Sequence, residues 1–213
     1  MWLKTWLVAA LLAALPSQGR AEDPAGRYRL ADGHDAASEL IISADGHFQY
    51  ALSAGALDEH AEGHWMRMGE RIALFTDPKP VPPVFSADPS ATREDAKLTL
   101  LVAWPNGRGI AGIDFRIGFA TGEPVTGYTQ DYGWSMPPED TRLPLWIELA
   151  EPIHGVVSSR FPIDLATGHA LHFTLTPNDI EVFDFGGAEA EVTPGELHLH
   201  RGESVLRYVR VKP

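Results

Sequence analysis

The sequence predicts an all-β protein, an antiparallel meander or barrel with a β-sandwich-like module inserted into it. Three observations carry this. Apolar residues recur with period two in short runs, and Gly, Pro, Asn or Asp bounds nearly every run. Beyond residue 21, apolar spacing of i, i+3, i+4 never continues for three turns without Gly or Pro. The chain holds 20 Gly and 17 Pro in 213 residues, an ordinary apolar share of 44%, and enough length to bury a real core.

Met1 to Ala21 reads as a secretory signal. Lys4 supplies the positive start, Trp6 to Leu15 is the apolar run, and small residues at Gly19 and Ala21 mark a cleavage site after Ala21. The run is about ten residues where a membrane span needs roughly 20, so no span is expected in the mature chain. The expected destination is the periplasm or the exterior, and the absence of cysteine in an exported chain favours a bacterial envelope.

Tyr28 and Leu30 open the first strand. Glu39 to Leu52 is the clearest hairpin: Asp45-Gly46 suits a turn with positive φ, and Phe48, Tyr50 and Leu52 share a face. Gly69-Glu70 divides a second hairpin, Gly63 to Arg67 and Arg71 to Phe75. Asp77 to Pro83 is proline-stiffened and extended. With the small and charged residues of Ser86 to Asp95 it makes the best linker, with at most a short helix near Ser90 to Ala96. Strands resume at Leu98 to Trp104. After the turn Pro105-Asn106-Gly107, Ile113, Phe115, Ile117 and Phe119 alternate with polar residues or Gly, which specifies one buried face. Further short strands are expected at Val125 to Thr129, Trp134 to Met136, Leu145 to Leu149, Leu171 to Leu175, Ile180 to Phe185, Leu197 to Leu199 and Val205 to Val211.

Residues 26–75, through Gly26-Arg27-Tyr28, Leu40 to Phe48, Gly63-His64-Trp65 and Ile72-Ala73-Leu74, resemble the meander of small lipocalin-like barrels of bacterial envelope proteins. Residues 185–210 resemble the closing strands of that pattern. Such envelope proteins sometimes use cysteines for redox, copper-sensing or lipid anchoring, and this chain has none. Residues 98–164, through Trp104, Pro105-Asn106-Gly107, Ile113 to Phe119 and Gly127 to Trp134, are similar to the transthyretin-like or carboxypeptidase-regulatory-like β-sandwich. That resemblance implies a module that binds or supports and does not catalyse. The expected organisation is a signal peptide (1–21), a discontinuous barrel (22–85 with 167–213), a linker (86–96) and a sandwich-like module (97–166). Two consecutive domains are the alternative.

The formal charge of −12, which becomes −14 once Lys4 and Arg20 leave with the signal, argues against nucleic acid and anionic membranes as partners. Zero cysteine removes thiolate catalysis, Cys-ligated zinc and disulfides. No nucleophile elbow, phosphate loop or dinucleotide fingerprint is present; Ser135 lacks flanking glycines, and Gly107-Arg108-Gly109 precedes no helix. Tyr128, Tyr132 and Trp134 crowd a Gly-bearing turn, which suits stacking on a saccharide or an extended peptide; the plainer reading is that these rings cap the local core. The leading expectation is therefore a non-enzymatic binding accessory factor of the envelope, without cofactor. The alternative is a zinc or copper protein using His60 and His64, or His198 and His200, as ligands beside nearby carboxylates, for metal handling or metal-dependent hydrolysis. Against it, Asp58 to His64 also reads as a solvated acidic loop, and His198 and His200 as the polar face of a half-buried strand.

Overall fold

A computed structural model describes residues 22–89 and 97–212, which places the signal segment and the short helix considered near Ser90 to Ala96 outside the described residues. Among the described residues there is no helix long and apolar enough to cross a membrane, and every regular element is a strand.

The meander expected at the N-terminus forms strands β1 (Gly26–Leu30), β2 (Ala36–Ile42), β3 (His47–Ala54), β4 (Leu57–Met68) and β5 (Arg71–Thr76). Gly46 at φ 94° and Gly69 at φ 68° supply the positive φ that the two tight hairpin turns require. The chain then leaves, and it returns as β15 (Ala188–Thr193), β16 (Glu196–Arg201) and β17 (Ser204–Arg210). β15 pairs with β5, and β17 pairs with β1 in the register Tyr28↔Arg210 and Leu30↔Tyr208, which closes an eight-stranded antiparallel barrel. The alternation seen in the sequence fills its interior: Tyr28, Leu40, Ile42, Phe48, Tyr50, Ile72, Leu74, Leu197, Leu199 and Tyr208 are all buried. Burial of each large apolar side chain contributes about 1.5–3 kcal/mol.

Between β5 and β15 lie two further sheets on a shared core. One has the order β10 (Trp134–Ser135), β7 (Thr99–Ala103), β14 (Ala170–Thr176), β6 (Val84–Ala87). The other runs β12 (Val156–Val157), β11 (Pro144–Glu151), β8 (Asp114–Phe119), β9 (Val125–Tyr128), with β13 (Phe161–Pro162) also on β11. Leu100, Val102, Phe173 and Leu175 of the first face Phe115, Ile117, Ile147 and Leu149 of the second in one apolar cluster.

Sheet membership differs from the expected boundaries in three places. Val84–Ala87 and Ala170–Thr176, grouped by sequence with the barrel and the linker, pair with each other and with β7 inside the inserted module. Ile180 to Phe185 is not a strand. Its aromatics seal the barrel instead. Phe185 stands edge-on to Phe48 at 5.3 Å and to Tyr50 at 5.0 Å, with Phe183 4.9 Å away, and so plugs one end. The period-two rhythm there marks inward rings, with a single parallel bridge from Val182 to His60 of β4 in place of a ladder.

The two connectors between barrel and module run side by side. The Val81 amide donates to Asp179 Oδ2 (2.8 Å), Asp179 N donates to the Val81 carbonyl (3.1 Å), and Asn178 Nδ2 donates to the Pro82 carbonyl (2.8 Å). Thr76 Oγ1 donates to the Phe183 carbonyl at 2.8 Å and accepts from Phe185 N at 3.0 Å.

Candidate functional site

The aromatic turn is built at the open side of the module, where edge strand β9 of one sheet faces edge strand β10 of the other. Thr129, wholly buried, fixes the exit of β9: its hydroxyl donates to the Ile110 carbonyl (2.7 Å) and accepts from Ile113 N (3.2 Å). The chain then reverses between Gln130 and Gly133, whose amides each donate to the other's carbonyl at 3.2 and 2.8 Å. Gly133 sits at φ 93°, and a Cβ there would lie 2.4 Å from the Leu100 carbonyl oxygen, so this turn admits only glycine. Gly127 is needed for a different reason, since a Cβ there would lie 2.7 Å from the Phe115 ring.

The consequence is a division of labour among the three predicted rings. Trp134 is half-buried and leans on Phe115 with ring centroids 4.8 Å apart. Tyr128 and Tyr132 are 59% and 83% exposed. All three line one concavity of about 430 Å³ together with Gln130 and Ser135. A neighbouring concavity of about 590 Å³ lies on the outer sheet face and shares Gly127 and Tyr128; Asp114, Arg116, Thr126 and Val157 complete much of its wall. Sequence pattern alone points to the aromatics but not to Gly127, Thr129 or Gln130. The run of polar and small residues from Thr126 to Gln130 is the available signal, and it reads as turn chemistry.

The histidines fall elsewhere. His60 and His64 both point outward from β4, four residues apart; the His64 ring stacks on Phe75 at 5.3 Å and 12°. His198 shares a 3.1 Å contact with Glu196 Oε2, and His200 lies 3.8 Å from Glu191. Leu197 and Leu199 point inward, so His198 and His200 do occupy the half-exposed outer face of a barrel strand. β5 and β15 separate β4 from β16. Among the described residues no group of three His, Asp or Glu side chains is placed to hold a metal ion.

A further concavity, of about 540 Å³, lies where the connectors pass between barrel and module. Its charged walls are already matched: Arg201 pairs with Glu59 at 2.6 Å and covers the Phe183 ring at 3.9 Å, and His154 meets Glu151 at 3.0 Å. That arrangement reads as packing between modules.

Fold and site together define an all-β protein in which a closed antiparallel barrel carries an inserted two-sheet module, with an aromatic groove at that module's open seam. No protein-family model, curated protein or solved structure matches this chain.

Proposed function

We propose that the protein is an exported, soluble, non-enzymatic accessory factor of the bacterial envelope that binds a ligand or partner protein through the groove of Tyr128, Tyr132 and Trp134. The exposure of two tyrosine rings beside a third, anchored aromatic carries this reading. Large rings held out in water by a rigid turn gain nothing for the fold and supply stacking area to a ligand. The acidic charge and the character of Met1 to Ala21 support the destination.

Substitution of the two types of ring separates recognition from packing. Tyr132→Ala changes stability by less than about 0.5 kcal/mol, because the ring is 83% exposed. Trp134→Ala costs about 2 kcal/mol, because half of a large ring packs on Phe115. In crosslinking from periplasmic extract, Tyr132→Ala loses the partners that the parent chain captures. If Tyr132→Ala retains every partner, the groove is not the binding site.

A further inference from the structure

We infer that the groove takes an extended peptide by strand addition along β9, a binding mode that rests on the groove being the recognition site proposed above. The backbone register carries it. Tyr128 stands opposite Asp114 and Thr126 opposite Arg116, while the Thr129 amide donates to the Ile113 carbonyl at 2.9 Å. In an antiparallel pair hydrogen-bonded positions alternate. Val125 and Gly127 therefore spend their N–H and C=O groups on β8, and those of Thr126 and Tyr128 point away from the sheet. Across the seam, Met136 N donates to the Leu98 carbonyl at 2.9 Å with Trp134 opposite Leu100, so the main-chain groups of Ser135 also point outward. Two open edges thus border one groove.

Of the two edges, β9 is the less guarded. Native sheets guard an edge with lysine, internal proline, a bulge or extreme shortness. β6 follows Pro82-Pro83, and β12 is a two-residue strand. β10 is as short as β12, and Pro124 stands just before β9, but the four residues of β9 include neither Lys nor Pro and keep unbroken register with β8. A row of outward donors and acceptors with a two-residue repeat matches the main chain of a strand and nothing in a saccharide. The side chains of an added strand would alternate between the two concavities that share Gly127 and Tyr128.

Charge narrows the peptide. Asp114 lies beside exposed Tyr128 on the outer face, and Asp131 sits in the turn next to Tyr132; neither has an ion pair among the described residues. Arg116 lines the outer-face concavity as well, with its guanidinium over the Trp146 ring at 5.7 Å. An aromatic face with unpaired carboxylates favours a cation, so the peptide carries Lys or Arg at a position beside Tyr128.

The test uses the whole mature chain and a display library of short peptides, with an array of neutral oligosaccharides alongside. Selected peptides are expected to be rich in strand formers with a basic residue. N-methylation of one alternate set of their amides should weaken binding about tenfold per bond lost, while the other set tolerates it. In the complex the Thr126 and Tyr128 amides should gain protection from hydrogen exchange, and Thr126→Pro should abolish binding without lowering the melting temperature. Peptides that bind with Tyr132 dependence but tolerate N-methylation at every position would overturn strand addition and leave the groove intact. Oligosaccharide binding lost in Tyr132→Ala, with no peptide selected, would replace the peptide by a sugar. Selection of neither class would sink the groove reading together with this one.

Discussion

Gly118 and Trp146 offer a direct measure of how the outer face of the β8–β11 sheet is held. They are cross-strand partners, and the indole lies flat on the glycine: a Cβ at position 118 would fall 2.0 Å from Trp146 Cε2. Arg160 covers the ring's other side at 3.7 Å and pairs with Glu148 at 2.9 Å. Gly118→Ala therefore has two opposed effects. Loss of glycine's backbone freedom in the unfolded chain stabilises by about 0.5–1 kcal/mol. Displacement of the indole destabilises by about 1–3 kcal/mol through overpacking and loss of the cation–π contact. In the parent chain the second effect wins, and the net result is destabilisation of about 1 kcal/mol. In a Trp146→Ala background only the first remains, and the same substitution stabilises by about 0.5–1 kcal/mol. The sign reverses, and the coupling read from urea denaturation of the four proteins is about 2 kcal/mol. If Gly118→Ala shifts stability equally in both backgrounds, the indole does not rest on the glycine and the reasoning fails.

Two more expectations follow from the barrel. Burial raises the phenol pKa of Tyr28, Tyr50 and Tyr208, most strongly at Tyr208. The unfolded tyrosines lose their protons first, near the ordinary value of about 10, so stability is flat below that pH and falls above it, with a limiting slope of about 1.4 kcal/mol per pH unit from Tyr208 and smaller contributions from Tyr28 and Tyr50. Urea midpoints between about pH 9 and 11 measure the slope, Tyr208→Phe should reduce it, and a flat profile would contradict the burial. Separately, residues 22–77 joined to 182–212 by a short Gly/Ser linker should give a barrel with a cooperative thermal transition and a near-ultraviolet dichroism signal from Tyr28 and Tyr208. Thr76 already bonds to both Phe183 and Phe185 across that junction. A non-cooperative melt would show that the barrel depends on the module.

Much of this fold is written in local pattern. Asp45-Gly46 and Gly69-Glu70 form turns as their φ requirements dictate, and Phe115, Ile117 and Phe119 bury the face their alternation specifies. Less legible was anything decided by a distant partner. Ala170–Thr176 runs parallel to Thr99–Ala103, and nothing in either segment's own periodicity names the other. Phe183 and Phe185 alternate like a strand, yet their segment makes only one bridge, Val182 to His60, and turns its rings onto Phe48 and Tyr50. At the groove, the aromatic composition of residues 128–134 was visible in the sequence. The outward main-chain groups of Thr126, Tyr128 and Ser135 were not, since they depend on register and on the sheet ending there.

The paired connectors also shorten the loop that barrel closure must span. Arg71 and Glu191, which meet across β5 and β15, are 120 residues apart, and closing so long a loop costs about 4 kcal/mol. Once the module has formed and Pro82 is held against Asn178, the loop still to be closed is several times shorter, and the cost falls by about 1.4 kcal/mol, on the order of tenfold in rate. Formation of the module thus primes closure of the barrel. β17, Ser204–Arg210, is the last barrel strand in chain order, and until it pairs β1 has no partner on its outer side. Without β17 the remaining seven strands form an open sheet, and that edge is lost when Tyr208 enters between β16 and β1.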